Sequence, residues 1–274
     1  MKKIDDPKTP EFASWDSYDS FARRVRNHRR FILEPEARAF LDTVRATLKG
    51  RNVKIGAGTI LYRAQRGVDY DPFDDGGEEI AEGPHGFGPK RMKPQPNRAN
   101  EGRVNPAGIP VLYLASDEQV AISEVRPWTG SEISVAQFRI LRDLKGVNLT
   151  LGHGKMSIGH LKVSDLLGGG EPDAAAKEKA VWIEIDNAFS RPVTLSDDTA
   201  DYVPTQILAE FFRDAGYDAV IYRSQFGKKG HNIAIFNVND AEAINGAPYE
   251  VTEIEVKYKE IGNRWFSKPP DAGV

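Results

Sequence analysis

The stretch VLYLASDEQVAISEV, residues Val111–Val125, decides the architecture. Val111 to Ala115 are apolar and compact, as in a buried strand. Asp117 stands where a helix N-cap belongs, so a short helix is predicted from about 118 to 125. Pro127 prevents that helix from continuing. Reading outward, strands and helices keep mixing without a regular alternation. Toward the C-terminus, residues 134–141 (SVAQFRIL) and 219–222 read as strands, as do 233–238. Helices are predicted at 174–190, with Val181, Ile185, Ala188 and Phe189 on one face, and at 204–214, opened by Pro204. A last strand is predicted over 250–260, where Val251, Ile254, Val256 and Tyr258 largely alternate with charged residues. Gly168–Gly170 reads as a flexible joint.

Toward the N-terminus, Ile60–Tyr62 reads as a short strand. The Asp-, Gly- and Pro-rich residues 67–110 read as one long loop, and loops of that length tend to be lids or binding loops. A helix is predicted over 17–33, capped by Ser17 or Asp19. A second starts at Pro35, with Phe40, Leu41, Val44 and Leu48 on one stripe and Gly50 at its C-cap. Residues 1–16 read as a loose arm. The expected class is α+β, with more strands than regular βαβ units would give. The expected division is a helical extension over 1–50, a body over 51–262 and a tail over 263–274.

Composition narrows the function. The chain has 274 residues, 40% of them hydrophobic and 28% charged, enough for a sizeable core. Its formal net charge of −3 argues against a uniformly basic nucleic-acid binder and leaves a local basic patch open. Arg23, Arg24, Arg26, Arg29 and Arg30, with His28, form such a patch. It suits nucleic acid, an acidic partner or the body of the protein, or simply a solvated or oligomer-facing helix. Cysteine is absent, which removes disulfides, thiolate nucleophiles and Cys-ligated metals. With five His, no metal is expected. No apolar run approaches about 18 residues and the N-terminus lacks a secretory pattern, so a cytoplasmic protein off the membrane is expected.

Known motifs are missing. Gly152–Met156 lacks the spacing and hydroxyl of a phosphate loop, and Gly56–Gly58 lacks the third glycine of a dinucleotide fingerprint. No HExxH and no GxSxG occurs. The acidic run Asp69–Glu79 breaks the ligand order of a calcium loop at Phe73 and Asp74 and reads as a solvated loop. His153 and His160 read as structural or surface residues.

Three residues stand out. Glu124 follows Val120 by four and Ala121 by three, on one helical face, and a core-facing carboxylate is costly unless paired or functional. The other reading puts Ile122 and Val125 inside and Glu124 in solvent. Arg63, with Tyr62 beside it at a strand end, suits a phosphate or carboxylate ligand, or an ordinary salt bridge. Ser224 lies at a strand end before a Gly-Lys-Lys-Gly turn, as a site residue or a turn residue.

The segments LYRAQ (61–65), GRVNPAGIPVLYLASDEQVAISEVRPW (102–128) and YVPTQILAEFF…GYDAVIYRSQFGKKGHNIAIF (202–236) together resemble the RES domain family, named for its Arg, Glu and Ser. The resemblance spans roughly residues 55–240. It implies an ADP-ribosyltransferase-like core with a split, twisted sheet and an NAD cleft. It also implies a toxin of a toxin–antitoxin pair that breaks the nicotinamide–ribose bond of NAD, with phosphate or a protein as acceptor, blocked by an Xre-type antitoxin. The family residues fall on Arg63, Glu124 and Ser224, with Tyr62, Tyr113, Arg103 and Asn232 as further NAD contacts. On this reading NAD is the substrate, and the acceptor is left open between phosphate, water and a protein. A protein ADP-ribosyltransferase, a degenerate regulatory module and a homo-oligomer stay open.

Overall fold

The computed structural model describes residues 10–75, 78–160, 172–191, 199–226, 230–262 and 265. The Gly168–Gly170 joint lies outside them. The chain opens with α1 (Ser17–Asn27) and α2 (Pro35–Thr47). The first stops short of the predicted 33. Glu34 precedes Pro35, is extended and serves as the N-cap of α2, so the helix cannot run into it. The residue at the N-cap of α1 is Asp16, and its side chain makes no cap bond. Ser17 Oγ instead donates to the Ser14 carbonyl at 2.7 Å. Gly50 is no C-cap either: α2 tightens into a 3-10 turn, Leu48–Arg51, that contains it.

Among the described residues ten strands follow: β1 (Asn52–Ile55), β2 (Ile60–Arg66), β3 (Asp69–Asp75), β4 (Glu78–His85), β5 (Leu112–Ala115), β6 (Glu132–Ile140), β7 (Leu144–Leu149), β8 (Ala219–Arg223), β9 (His231–Ile235) and β10 (Ala241–Glu250). Between them lie α3 (Pro89–Met92), α4 (Glu118–Glu124), α5 (Ala174–Ser190) and α6 (Val203–Asp214). Eight strands form one mixed sheet, ordered β1-β7-β8-β9-β5-β2-β6-β10, and β3–β4 form a separate hairpin. Only β7–β8 is parallel among the sheet's pairs. The fold class is α+β, as expected.

The sheet nearly parts in its middle. β2 pairs with β6 over seven residues but with β5 only at Tyr62↔Ala115. On one face, Val147, Leu149, Val220 and Tyr222 pack under α1, α2, α5 and α6 through Phe21, Phe40, Val181 and Phe212. The other face packs Leu61, Leu112, Phe138 and Ile235 beneath Phe87 and Met92.

Two further expectations need correction. Residues 67–110 are not one loop: the acidic run forms the β3–β4 hairpin, and Phe87 and Met92 are buried core residues. The burial of those apolar anchors fixes a segment whose Gly and Pro content suggested none. Nor is 250–260 a strand. The strand is β10, pairing β6 from Ala241 to Glu250, while residues 252–260 belong to no regular element. β10 contains Pro248, which the ladder tolerates because β10 is an edge strand.

The helical front section shares the body's core. Trp182 Nε1 on α5 donates to Thr47 Oγ1 at 3.0 Å, and Arg51 Nη1 meets Asp186 Oδ1 at 2.6 Å. Much of the arginine patch is engaged internally, Arg24 with Glu34 at 2.7 Å and Arg26 with Asp201 at 3.5 Å. Among the described residues no helix is long and apolar enough to cross a membrane.

Candidate active site

Asp117 behaves as its position predicts: its Oδ1 accepts the Val120 N–H at 2.9 Å and starts α4. The helix buries Val120 and Ala121 against Ala64, Ala115, Ile133 and Val135. Glu124 lies on that same face, one turn on. Glu124, half-buried, lines a cleft of about 640 Å³. Ile122 and Val125 are half-buried to the same degree and pack on the edge of the same cluster, so the helix turns both sides partly inward. Gly230 lets β9 approach this helix, because a Cβ there would fall 2.1 Å from Val120 Cγ2.

That approach delivers the partners of Glu124. Ser224, at the end of β8, donates to Glu124 Oε1 at 2.7 Å, and Asn232 Nδ2 on β9 donates to the same oxygen at 2.6 Å. Both donors are buried. Ser224 Oγ in turn accepts the Phe226 N–H at 3.1 Å, which fixes its proton toward the carboxylate. Ser224 does not itself line the cleft; it acts on the carboxylate from behind. Glu124 Oε2 has no protein donor among the described residues.

Arg63 sits where the sheet parts. Along β2, Leu61 and Arg63 share one face and Tyr62 and Ala64 the other. Past Tyr62↔Ala115 the ladder stops, and Arg63 Nη1 donates to the Tyr113 carbonyl at 3.0 Å. Its Nε is buried without a partner. Burial pushes the guanidinium pKa down to about 10, so it stays charged at neutral pH at a desolvation cost. Arg103 likewise has a buried Nε without a partner, and its Nη1 reaches the Phe189 carbonyl at 3.3 Å. Two underbonded guanidinium groups beside one cleft fit an anionic ligand such as a diphosphate.

Tyr113 also lines the cleft, with its ring fixed. Its hydroxyl donates to Asn105 Oδ1 at 2.6 Å and accepts the Val104 N–H at 3.1 Å. Burial raises its pKa, so the phenol stays neutral. Gly102 is required here, since a Cβ would meet the Tyr113 hydroxyl at 2.6 Å. Of the seven candidate residues, six line the cleft and Ser224 bonds to one that does.

Sequence reasoning missed three lining residues: Tyr202, Tyr222 and Arg126. Tyr222 is buried, with its pKa raised by that burial, and its place two residues before Ser224 was the available signal. Arg126 adopts φ +48, unusual for a non-glycine residue and doubly so before proline. Nothing in the local sequence announces that. Among the described residues, no cluster of three or more His, Asp or Glu is placed to hold a metal ion.

The sequence matches the RES domain family model over residues 60–257. No curated protein matches it. A solved chain from the "M.tuberculosis MbcT-MbcA toxin-antitoxin complex" is similar at 15% identity and TM-score 0.41, covering 76% of this chain and 92% of that one. At that score the likeness supports no conclusion about this chain. The family match covers well over half of the chain, and so the protein belongs to the RES domain family.

Proposed function

We propose that the chain cleaves the nicotinamide–ribose bond of NAD in this cleft. The observation that carries the reading is Glu124: a carboxylate anchored through one oxygen by Ser224 and Asn232, beside the underbonded Arg63 and Arg103. Arg63 and Arg103 hold the diphosphate by charge-assisted hydrogen bonds. Tyr113 and Tyr62 bear on the nicotinamide end, where a fixed ring limits its angle.

The bond between the ribose anomeric carbon and the ring nitrogen breaks. Its electron pair leaves with neutral nicotinamide, so no strong general acid is needed. Positive charge develops on the ribose, and the preorganised Glu124 carboxylate stabilises it. Ser224 and Asn232 act as positioning residues that keep Oε2 turned to the cleft. An acceptor oxygen then bonds to the anomeric carbon. Hydrogen phosphate gives ADP-ribose phosphate and keeps its own proton; water gives ADP-ribose and releases one proton to solvent.

Family membership supports the NAD reading and, with it, a role as the toxin of a toxin–antitoxin pair acting on cytoplasmic NAD. Phosphate is the acceptor we favour. The test is nicotinamide release from NAD by purified protein, with and without phosphate. Release that phosphate accelerates is expected. No release, or release unchanged in Glu124→Gln, would reject the reading. Label passing from NAD to a protein would reject phosphate as the acceptor.

A further inference from the structure

Residues 253–259 of the C-terminal arm are apolar on one side and charged on the other, and they pair with no strand of the sheet. Val251 is tied to the sheet edge: its N–H donates to the Ser131 carbonyl at 2.9 Å, and its carbonyl accepts from Gly130 at 2.7 Å. Residues 252–260 then belong to no strand or helix. Ile254 is 42% exposed, Val256 74% and Tyr258 95%. Those three alternate with Glu253, Glu255, Lys257 and Lys259. Lys257 Nζ lies 3.2 Å from Glu255 Oε1, which places these two charges on one side.

The order of the charges is self-complementary. When two copies run antiparallel about Val256, Glu253 faces Lys259, Glu255 faces Lys257, Ile254 faces Tyr258, and Val256 faces itself. Every charged pair is then opposite in sign, and every apolar side chain meets an apolar one. Neighbouring registers fail. A slip of two residues sets Glu255 against Glu255, or Lys257 against Lys257. A slip of one residue turns charges toward apolar side chains. Parallel pairing aligns Glu with Glu and Lys with Lys. The favoured register also obeys the two-fold rule that if i meets j, then j meets i, so the contact closes at two copies.

We infer that residues 253–259 form a strand with the same segment of a second copy, making the chain a homodimer through its arm. The alternation that the monomer's fold leaves unpaired is satisfied between molecules. A two-stranded ribbon is marginal by itself, so the dimer is reversible and concentration-dependent.

The test is sedimentation velocity on the full chain over a concentration series. Wild type is expected to dimerise. Glu253→Lys/Glu255→Lys carries only lysines on the charged side, and Lys257→Glu/Lys259→Glu only glutamates. Each alone is expected to weaken dimerisation about tenfold or more, and an equimolar mixture to recover it as a heterodimer. Thermal melting checks that both variants fold, since the arm lies outside the core. A wild type that stays monomeric overturns the inference. So do variants that each dimerise like wild type, or a mixture that fails to recover.

Discussion

Asp186 and Glu124 are both carboxylates drawn against the protein's interior, and they are treated in opposite ways. Asp186 on α5 is fully buried and has both oxygens committed. Arg51 Nη1 donates to Oδ1 at 2.6 Å and to Oδ2 at 2.8 Å, and the Gly152 N–H donates to Oδ2 at 2.6 Å. Its cation is stacked as well, with Arg51 Cζ 4.4 Å from the Trp182 ring centroid. Burial pushes the Asp186 pKa up, and Arg51 pulls it back. Glu124 on α4 takes both of its donors, neutral ones, on a single oxygen. Arg63, which lines the same cleft, spends one hydrogen bond on a carbonyl and leaves Nε without a partner. A structural ion pair closes its own valences. The proposed site leaves some open for a ligand, at a cost in stability.

The comparison can be broken in four places. Glu124→Gln keeps the side-chain volume and removes the charge, so nicotinamide release should fall at least about 10³-fold with an unchanged melting temperature. Asp186→Ala should do the reverse. It strands Arg51 in the interior and should cost about 3–5 kcal/mol of stability, which lowers Tm by about 10 °C. Replacing the pair together, Arg51→Met/Asp186→Leu, should restore most of that loss in the same thermal scan.

Ser224→Ala and Asn232→Ala each remove one hydrogen bond to a charged oxygen. Each should slow release about tenfold or more, with the larger change in kcat than in KM. The double variant should lose less than the product of the two, since both donors hold one atom. The smallest effect is on stability at Arg63. Its lowered pKa means that folding disfavours the charged form, and that penalty is present in full at every pH below about 10. Arg63→Met should therefore leave Tm unchanged or raise it by a few degrees across the neutral range, while NAD binding measured by calorimetry weakens. A clear drop in Tm would instead make Arg63 a structural residue like Arg51.

The residues of the cleft were more legible than its shape. The cap at Asp117 and the spacing of Glu124 from Val120 and Ala121 are local, and they predicted α4 and offered its correct face. That Glu124 would meet buried donors was undecided in the helix alone, because it depends on β9 arriving with Asn232, more than one hundred positions later. The Arg51–Asp186 pair was invisible for the same reason. In the sequence, Arg51 follows a helix and Asp186 sits beside apolar Ile185, with nothing to connect them.

From its sequence alone, this protein had its α+β class, half of its strands, most of its helices, and its ordered Arg63, Glu124 and Ser224. Those follow from caps, periodicity and family resemblance, which act over short stretches. Tertiary structure decided the parting of the sheet between β2 and β5, the left-handed backbone at Arg126 and the burial of Phe87 and Met92. It also left residues 252–260 off the sheet, although their alternation reads as a strand. A pattern shows which faces of a segment are apolar, but a ladder needs a neighbour, and β6 is already occupied by β10.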